Sequence, residues 1–188
     1  DIYITAAVPT TVPINTPINN CGQIALTSSV DNNLLNNNHC ANTIVVSSFD
    51  PNEIIVSPHG IGTQGYIGKT DSILTYRINF QNTGTAAAHR VMIIDSLPKQ
   101  LQLRKFKVID YSHMYSINVN EQGVMSFVFD NIMLPDSNSN EPESHGYITY
   151  QIQQQPNLKP GDQFTNQAHI YFDYNVPVAT NKTLNTIK

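Results

Sequence analysis

The sequence predicts an all-β protein whose main body is an immunoglobulin-like Greek-key β-sandwich, and three observations carry that reading. Apolar and polar residues alternate with period two in several short runs. Gly, Pro and Asn punctuate those runs at a spacing of roughly ten residues. No stretch shows the three-to-four-residue apolar repeat of an amphipathic helix.

The clearest run is Leu74, Tyr76, Ile78 and Phe80, which alternate without a break with Thr75, Arg77, Asn79 and Gln81. It ends at Asn82-Thr83-Gly84, where turn residues reverse the chain. Arg90 to Asp95 follows, with Val91 and Ile93 on the core face and Pro98 as the stop. Further runs are expected at Leu101–Val108, Tyr115–Asn120, Val124–Phe129 with Phe127 and Phe129 inward, and Tyr147–Gln153. The turn signals between them are Asn120-Glu121-Gln122-Gly123, the 134–146 loop and Leu158-Lys159-Pro160-Gly161-Asp162. Ala168, Ile170 and Phe172 then alternate with His169, Tyr171 and Asp173 as a core strand. Asp173, Asn175 and Pro177 end its pairing, and a last extended run, Thr183–Ile187, closes the chain.

Residues 49–188 are therefore expected to form one sandwich. Residues 1–48 hold three extended runs, Ile2–Val8, Gln23–Ser29 and Thr43–Ser47, parted by Pro/Thr/Asn stretches. They are too few for a complete sandwich, which needs about a hundred residues, and read as the C-terminal strands of a preceding, similar β domain. Thr43–Ser47 runs into Asp50 and Pro51 without a Gly/Ser linker, so a short, stiff junction is expected. Apolar residues Ile24, Leu26 and Val45 would need covering by neighbouring domains of the same polypeptide or by copies of the chain, the latter giving a fibre by strand addition.

Composition narrows the function. Fourteen acidic against ten basic residues leave a net charge of −4, and the only basic cluster is Leu103–Lys107, so a nucleic-acid footprint is missing. No apolar stretch is long enough to insert in a membrane. Charged residues are 13% of the chain, where about a quarter is typical, and Asn, Gln, Ser and Thr take their place, which suits an extracellular setting. Cys21 and Cys40 are the only cysteines and lack zinc-site spacing. A disulfide between them is expected, worth roughly 3 kcal/mol by the chain-entropy argument in an oxidising compartment, with two unpaired buried thiols as the alternative.

In this order, Ser48–Glu53, Ile73–Pro98, Leu134–Ile152 and Asn166–Ile187 resemble the pieces of a repeat-type immunoglobulin-like domain of Bacteroidetes secreted and cell-surface proteins. The matching motifs are an Asp-Pro-Asn entry, a Thr-Tyr-x-Ile-x-Phe-Gln-Asn-Thr-Gly strand and turn, an Asp-Ser-x-x-Asn-Glu-x-x-Ser-His-Gly loop and an Ile-Tyr-Phe-Asp-x-Asn exit, with Glu53 where such domains more often carry Asp. The resemblance implies a sandwich that sits just before the C-terminal sorting domain of type nine secretion cargo, on the cell surface or outside the cell.

No Gly-x-Ser-x-Gly elbow, His-Glu-x-x-His pair or phosphate loop is present, so an enzyme is not expected. Calcium takes about six to eight oxygen ligands, and two corners could offer some: Asp50 and Asn52 at the entry, with Glu53, and Asp173 and Asn175 at the exit, with Asn181. The competing reading makes Asp50 and Asp173 turn caps. A second oxygen-rich loop, Asp136, Asn138, Asn140 and Glu141, lacks the glycine and distant glutamate of an EF-hand. His145 either fixes this loop or lines a pocket. Tyr111, Tyr115, Tyr171 and Tyr174 would stack on carbohydrate if they shared an exposed face. The expectation is a structural or adhesion module, a stalk or spacer, with recognition of a surface glycan or protein through the loops as the alternative.

Overall fold

The computed structural model describes residues 16–23, 37–44 and 51–188. The chain divides into two compact units between Phe49 and Asp50. In the first, β1 (Pro17–Gln23) and β2 (Asn38–Ile44) form an antiparallel pair that sets Cys21 directly opposite Cys40, and the two are joined by a disulfide. Both cysteines thus lie within strands, whereas the sequence had placed them just ahead of strands beginning at Gln23 and Thr43. Pro17 takes the first strand position, where its missing N–H does least harm, and the cross-strand bridge holds a segment of weak strand propensity in register. The expected run Ile2–Val8, most of Gln23–Ser29 and the end of Thr43–Ser47 lie outside the described residues.

The second unit is a sandwich of sheets. One sheet has the order β3-β5-β10-β7, from β3 (Glu53–Ser57), β5 (Ile73–Gln81), β10 (His145–Gln154) and β7 (Leu101–Tyr111). The other runs β13-β12-β6-β9-β8, from β13 (Val178–Ala179), β12 (Ala168–Phe172), β6 (Ala88–Ser96), β9 (Val124–Leu134) and β8 (Ser116–Val119). The strand orders match the ABED and GFC sheets of an immunoglobulin-type sandwich, with β8 and β9 added beyond the third strand. A three-stranded extension, β11-β14-β4, joins β11 (Gln163–Asn166) and β14 (Thr183–Ile187) to β4 (Tyr66–Ile67).

The period-two pattern does what it should in each long strand. Leu74, Tyr76, Ile78 and Phe80 are all fully buried, as are Val91 and Ile93, Phe127 and Phe129, Ile148, Tyr150 and Ile152, and Ala168 and Ile170. Aromatic rings fill the centre: Phe127 lies 6.1 Å from Tyr150, 6.2 Å from Phe106 and 6.3 Å from Tyr115, while Phe80 packs 5.2 Å from Phe129. Gly146 is needed beneath Phe80, because a Cβ there would occupy the ring's own space.

The entry strand β3 has no counterpart in the sequence reading. Ile54 and Val56 are buried, but Ile55 between them is also apolar and 40% exposed, so the alternation that marks a half-buried strand is broken at an edge position. Registers place Glu53 opposite Asn79 and Ser57 opposite Thr75, so β3 starts at the end of the sandwich where β5 turns into β6. β14 pairs with β11 and ends at Ile187, at the opposite end. First and last strands of the sandwich therefore run in the same direction.

Candidate functional site

Two polar constructions and one cavity stand out in the second unit. The first is buried in the core. β6 carries Asp95 on the same face as Val91 and Ile93, and its side chain is fully enclosed. Asp95 Oδ2 accepts a hydrogen bond from the Tyr150 hydroxyl at 2.5 Å and one from Asn166 Nδ2 at 3.1 Å; Asn166 Nδ2 also donates to the Tyr150 oxygen at 3.0 Å. Asp95 Oδ1 accepts no bond among the described residues. Burial pushes the Asp95 carboxyl up to about 6, against the opposing pull of the two hydrogen bonds. Tyr150 is likewise raised well above its ordinary value, first by burial and then by the neighbouring carboxylate. With Tyr76 stacked on Tyr150 at 5.3 Å, this cluster ties β6, β10 and β11 together, enclosed where substrate has no access.

The second lies where β3 meets the last strand. Asn181 turns its side-chain amide onto the outer edge of β3: Ile54 N–H donates to Asn181 Oδ1 at 2.8 Å and Asn181 Nδ2 donates to Ile54 C=O at 3.0 Å. The amide thereby imitates one residue of a neighbouring strand. Replacing Asn181 with alanine leaves both groups of the buried Ile54 backbone without these partners, and a loss of about 1–3 kcal/mol is expected. Urea unfolding of Asn181→Ala checks this; an unchanged midpoint would show that the seam does not hold the entry strand. Beside Asn181 lies a cavity of about 390 Å³, lined by Ile54, Val56, His59, Thr63, Lys182 and Leu184 among others. Gly65, with φ 59°, closes the loop over this seam, and a Cβ there would strike the Leu184 carbonyl.

The residues singled out from sequence are distributed as follows. Asp50 lies outside the described residues. Asn52 is buried and its Oδ1 accepts the Gln81 N–H at 3.2 Å. Asp173, in the left-handed region at φ 53°, accepts the Arg90 N–H at 2.8 Å, and its own N–H returns to Arg90 C=O at 2.9 Å. Asn175 N–H donates to Phe172 C=O at 3.1 Å. Asn52 and Asp173 stand at the same end of the sandwich but on different sheets, each capping a strand end. Among the described residues no group of three or more His, Cys, Asp and Glu is placed to hold a metal ion.

The 134–146 loop is held from within. Asp136 takes the Ser139 hydroxyl at 2.7 Å and the N–H groups of Ser139 and Asn138 at 3.1 Å each, which hold its carboxyl below the usual range. His145 Nε2 meets Glu141 Oε1 at 2.8 Å and Gln81 Nε2 at 3.1 Å, so of the two roles foreseen it serves the loop-fixing one. The four tyrosines do not make one platform. Tyr111 and Tyr115 pair edge-on at 5.0 Å on the flank of β7, with Tyr115 packed against Phe127 and Phe129. Tyr171 pairs with Met92 across β12 and β6, and Tyr174 is fully exposed at the turn beyond.

Sequence reasoning missed the Asp95–Tyr150–Asn166 cluster, although its signal was present. Asp95 falls two residues after Ile93, and Asn166 two before Ala168, so both inherit the core parity of their strands.

No curated protein sequence matches the chain. Among solved structures, the N-terminal domain of the Streptococcus gordonii adhesin Sgo0707 is similar with a TM-score of 0.52 at 18% identity, over 79% of this chain and 35% of that one. The full-length major pilin SpaD from Corynebacterium diphtheriae gives 0.50 at 15% identity, over 70% of this chain and 34% of that one. The chain spans about a third of the length of those two structures, and at such identities the likeness is one of fold: an all-β sandwich like the immunoglobulin-like domains of adhesins and pilins. A family model described as a domain of unknown function, DUF7619, matches residues 50–186, the sandwich nearly to the end of its last strand, and the chain belongs to that family.

Proposed function

We propose that residues 50–188 serve as a non-enzymatic structural or adhesive module, a stalk or spacer, of a secreted or cell-surface bacterial protein. The observation that carries this is the path of the chain: β3 enters at one end of the sandwich and β14 leaves at the other, as a unit strung in line within a longer polypeptide requires. The commitment of Asp95, Asp136, Asp173 and the Glu141–His145 pair to fixing strands and loops supports a structural role. So does the fold shared with an adhesin and a pilin. The four ordered sequence motifs support a place among Bacteroidetes type nine secretion cargo, with residues 1–48 as the end of a preceding β domain.

A second reading, recognition of a surface protein or glycan through a loop, is favoured by one feature. Tyr174 is fully exposed and Val176 is 87% exposed on the turn that Asp173 anchors. Probing arrays of glycans and extracellular matrix polymers with the whole chain separates the two. The spacer reading expects no saturable binding. Saturable binding that disappears in a Tyr174→Ala, Val176→Ser double variant would replace it with the recognition reading.

A further inference from the structure

The edge of β3 carries a second position equivalent to the one Asn181 fills. Backbone groups in a strand point to alternate sides, so Val56, two residues beyond Ile54, presents its N–H and C=O in the same outward direction. The register agrees: Ile54 lies opposite Ile78 and Val56 opposite Tyr76, both at positions whose ladder bonds go to the far side. Among the described residues nothing bonds to the Val56 backbone from that side, whereas the Ile54 pair is filled by an amide. Val56 is instead one of the residues lining the cavity of about 390 Å³ between β3 and β14, which falls within the usual range of about 300–1,000 Å³ for ligand pockets.

We propose that this cavity is a binding site for a short extended peptide, which docks the N–H and C=O of its central residue on Val56 as Asn181 docks its side-chain amide on Ile54. Recognition is by strand addition over a few residues, with main-chain hydrogen bonds supplying the attraction. Asn181 closes the site toward the entry of the strand and the 58–65 loop closes it toward the other end, so the site takes a few residues and not a full-length strand. Glu53, His59 and Lys182 line it with both signs of charge, which favours a peptide with neutral polar and apolar side chains over a highly charged one. The site is independent of the spacer and recognition readings above, since it uses neither the path of the chain nor the Tyr174 turn.

The probe is acetyl-Thr-Val-Thr-amide, titrated into the ¹⁵N-labelled whole chain to several times about 1 mM, the range expected of a few hydrogen bonds. The expected result is saturable shifts confined to β3, β14 and the 58–65 loop, with slowed hydrogen exchange at the Val56 amide. A peptide N-methylated at its central residue lacks the donor for Val56 C=O and is expected to bind at least about ten-fold more weakly. Thr63→Trp, at an exposed loop position, is expected to fill the cavity and abolish the shifts. The proposal is overturned if Val56 does not respond, if the N-methylated peptide binds equally well, or if N-acetylglucosamine saturates the site while the peptide does not. The comparison of the two peptides on the unaltered chain stands even if Thr63→Trp does not fold.

Discussion

Replacing Phe127 with alanine is expected to lower the unfolding free energy by about 3–5 kcal/mol, a large share of the roughly 5–15 kcal/mol that holds a domain of this kind folded. Phe127 is fully buried on β9 and its ring meets Phe106 from β7, Tyr150 from β10 and Tyr115 from the loop before β8. Its removal leaves a void that none of these rings can fill without leaving its own packing. The loss should appear as a lower urea midpoint with an unchanged slope. A loss below about 1 kcal/mol would mean that the two sheets close over the gap and that the aromatic centre is not what joins them.

The second large effect concerns Asp95 and pH. Its carboxyl titrates at about 6 in the folded protein and near 3.8 otherwise, so between those values the native state holds a proton that the unfolded state has released. Stability from this residue is therefore complete below about pH 4 and falls as pH rises to about 6; above that the full cost of a buried charge is in place, on the order of 3 kcal/mol at about 1.4 kcal/mol per unit. Asp95→Asn keeps an oxygen for Tyr150 and Asn166 and removes the charge. At pH 7.5 this variant is expected to be more stable than the parent, and at pH 4 nearly equal to it. Asp95→Ala, which leaves the Tyr150 hydroxyl without its acceptor and the Asn166 amide with the Tyr150 oxygen alone, should be less stable at both. Urea unfolding of the three proteins at the two pH values is the check; identical pH dependence in the parent and Asp95→Asn would show that the buried carboxyl does not titrate in this window.

The long strands of the sandwich were legible because each presents one face to a core, and burial on one face writes a period-two pattern into the sequence. The run from Leu74 to Phe80 is the plainest case. β3 was not legible because an edge strand has less to hide: Ile55 can be apolar and exposed there, and its partners are a strand on one side and a side-chain amide from residue 181 on the other. The candidate sites were less readable still. The Asp95 cluster obeys strand parity, but a carboxylate at the end of an apolar run reads as a terminator unless Tyr150 and Asn166, more than fifty residues downstream, are known to meet it. The Val56 cavity depends on the approach of two strands separated by more than a hundred residues, which no local pattern encodes. Asp173 was read as a calcium ligand or a turn cap and Asn52 as a calcium ligand, and the backbone groups they bond, at Arg90 and Gln81, are again distant in sequence.

The common direction of β3 and β14 bears on how the sandwich carries mechanical load. Tension applied through the chain ahead of β3 and beyond β14 drags the two strands toward opposite ends, parallel to their own axes. The ladder between β3 and β5 is then loaded in shear, with all its rungs strained together, where a strand peeled from its end would lose them singly. Asn181 clamps the second residue of β3, Ile54, from the other side. Resistance to pulling is governed by the barrier to unfolding and not by equilibrium stability, so a sandwich of ordinary thermal stability, wired in this direction, is suited to hold under force.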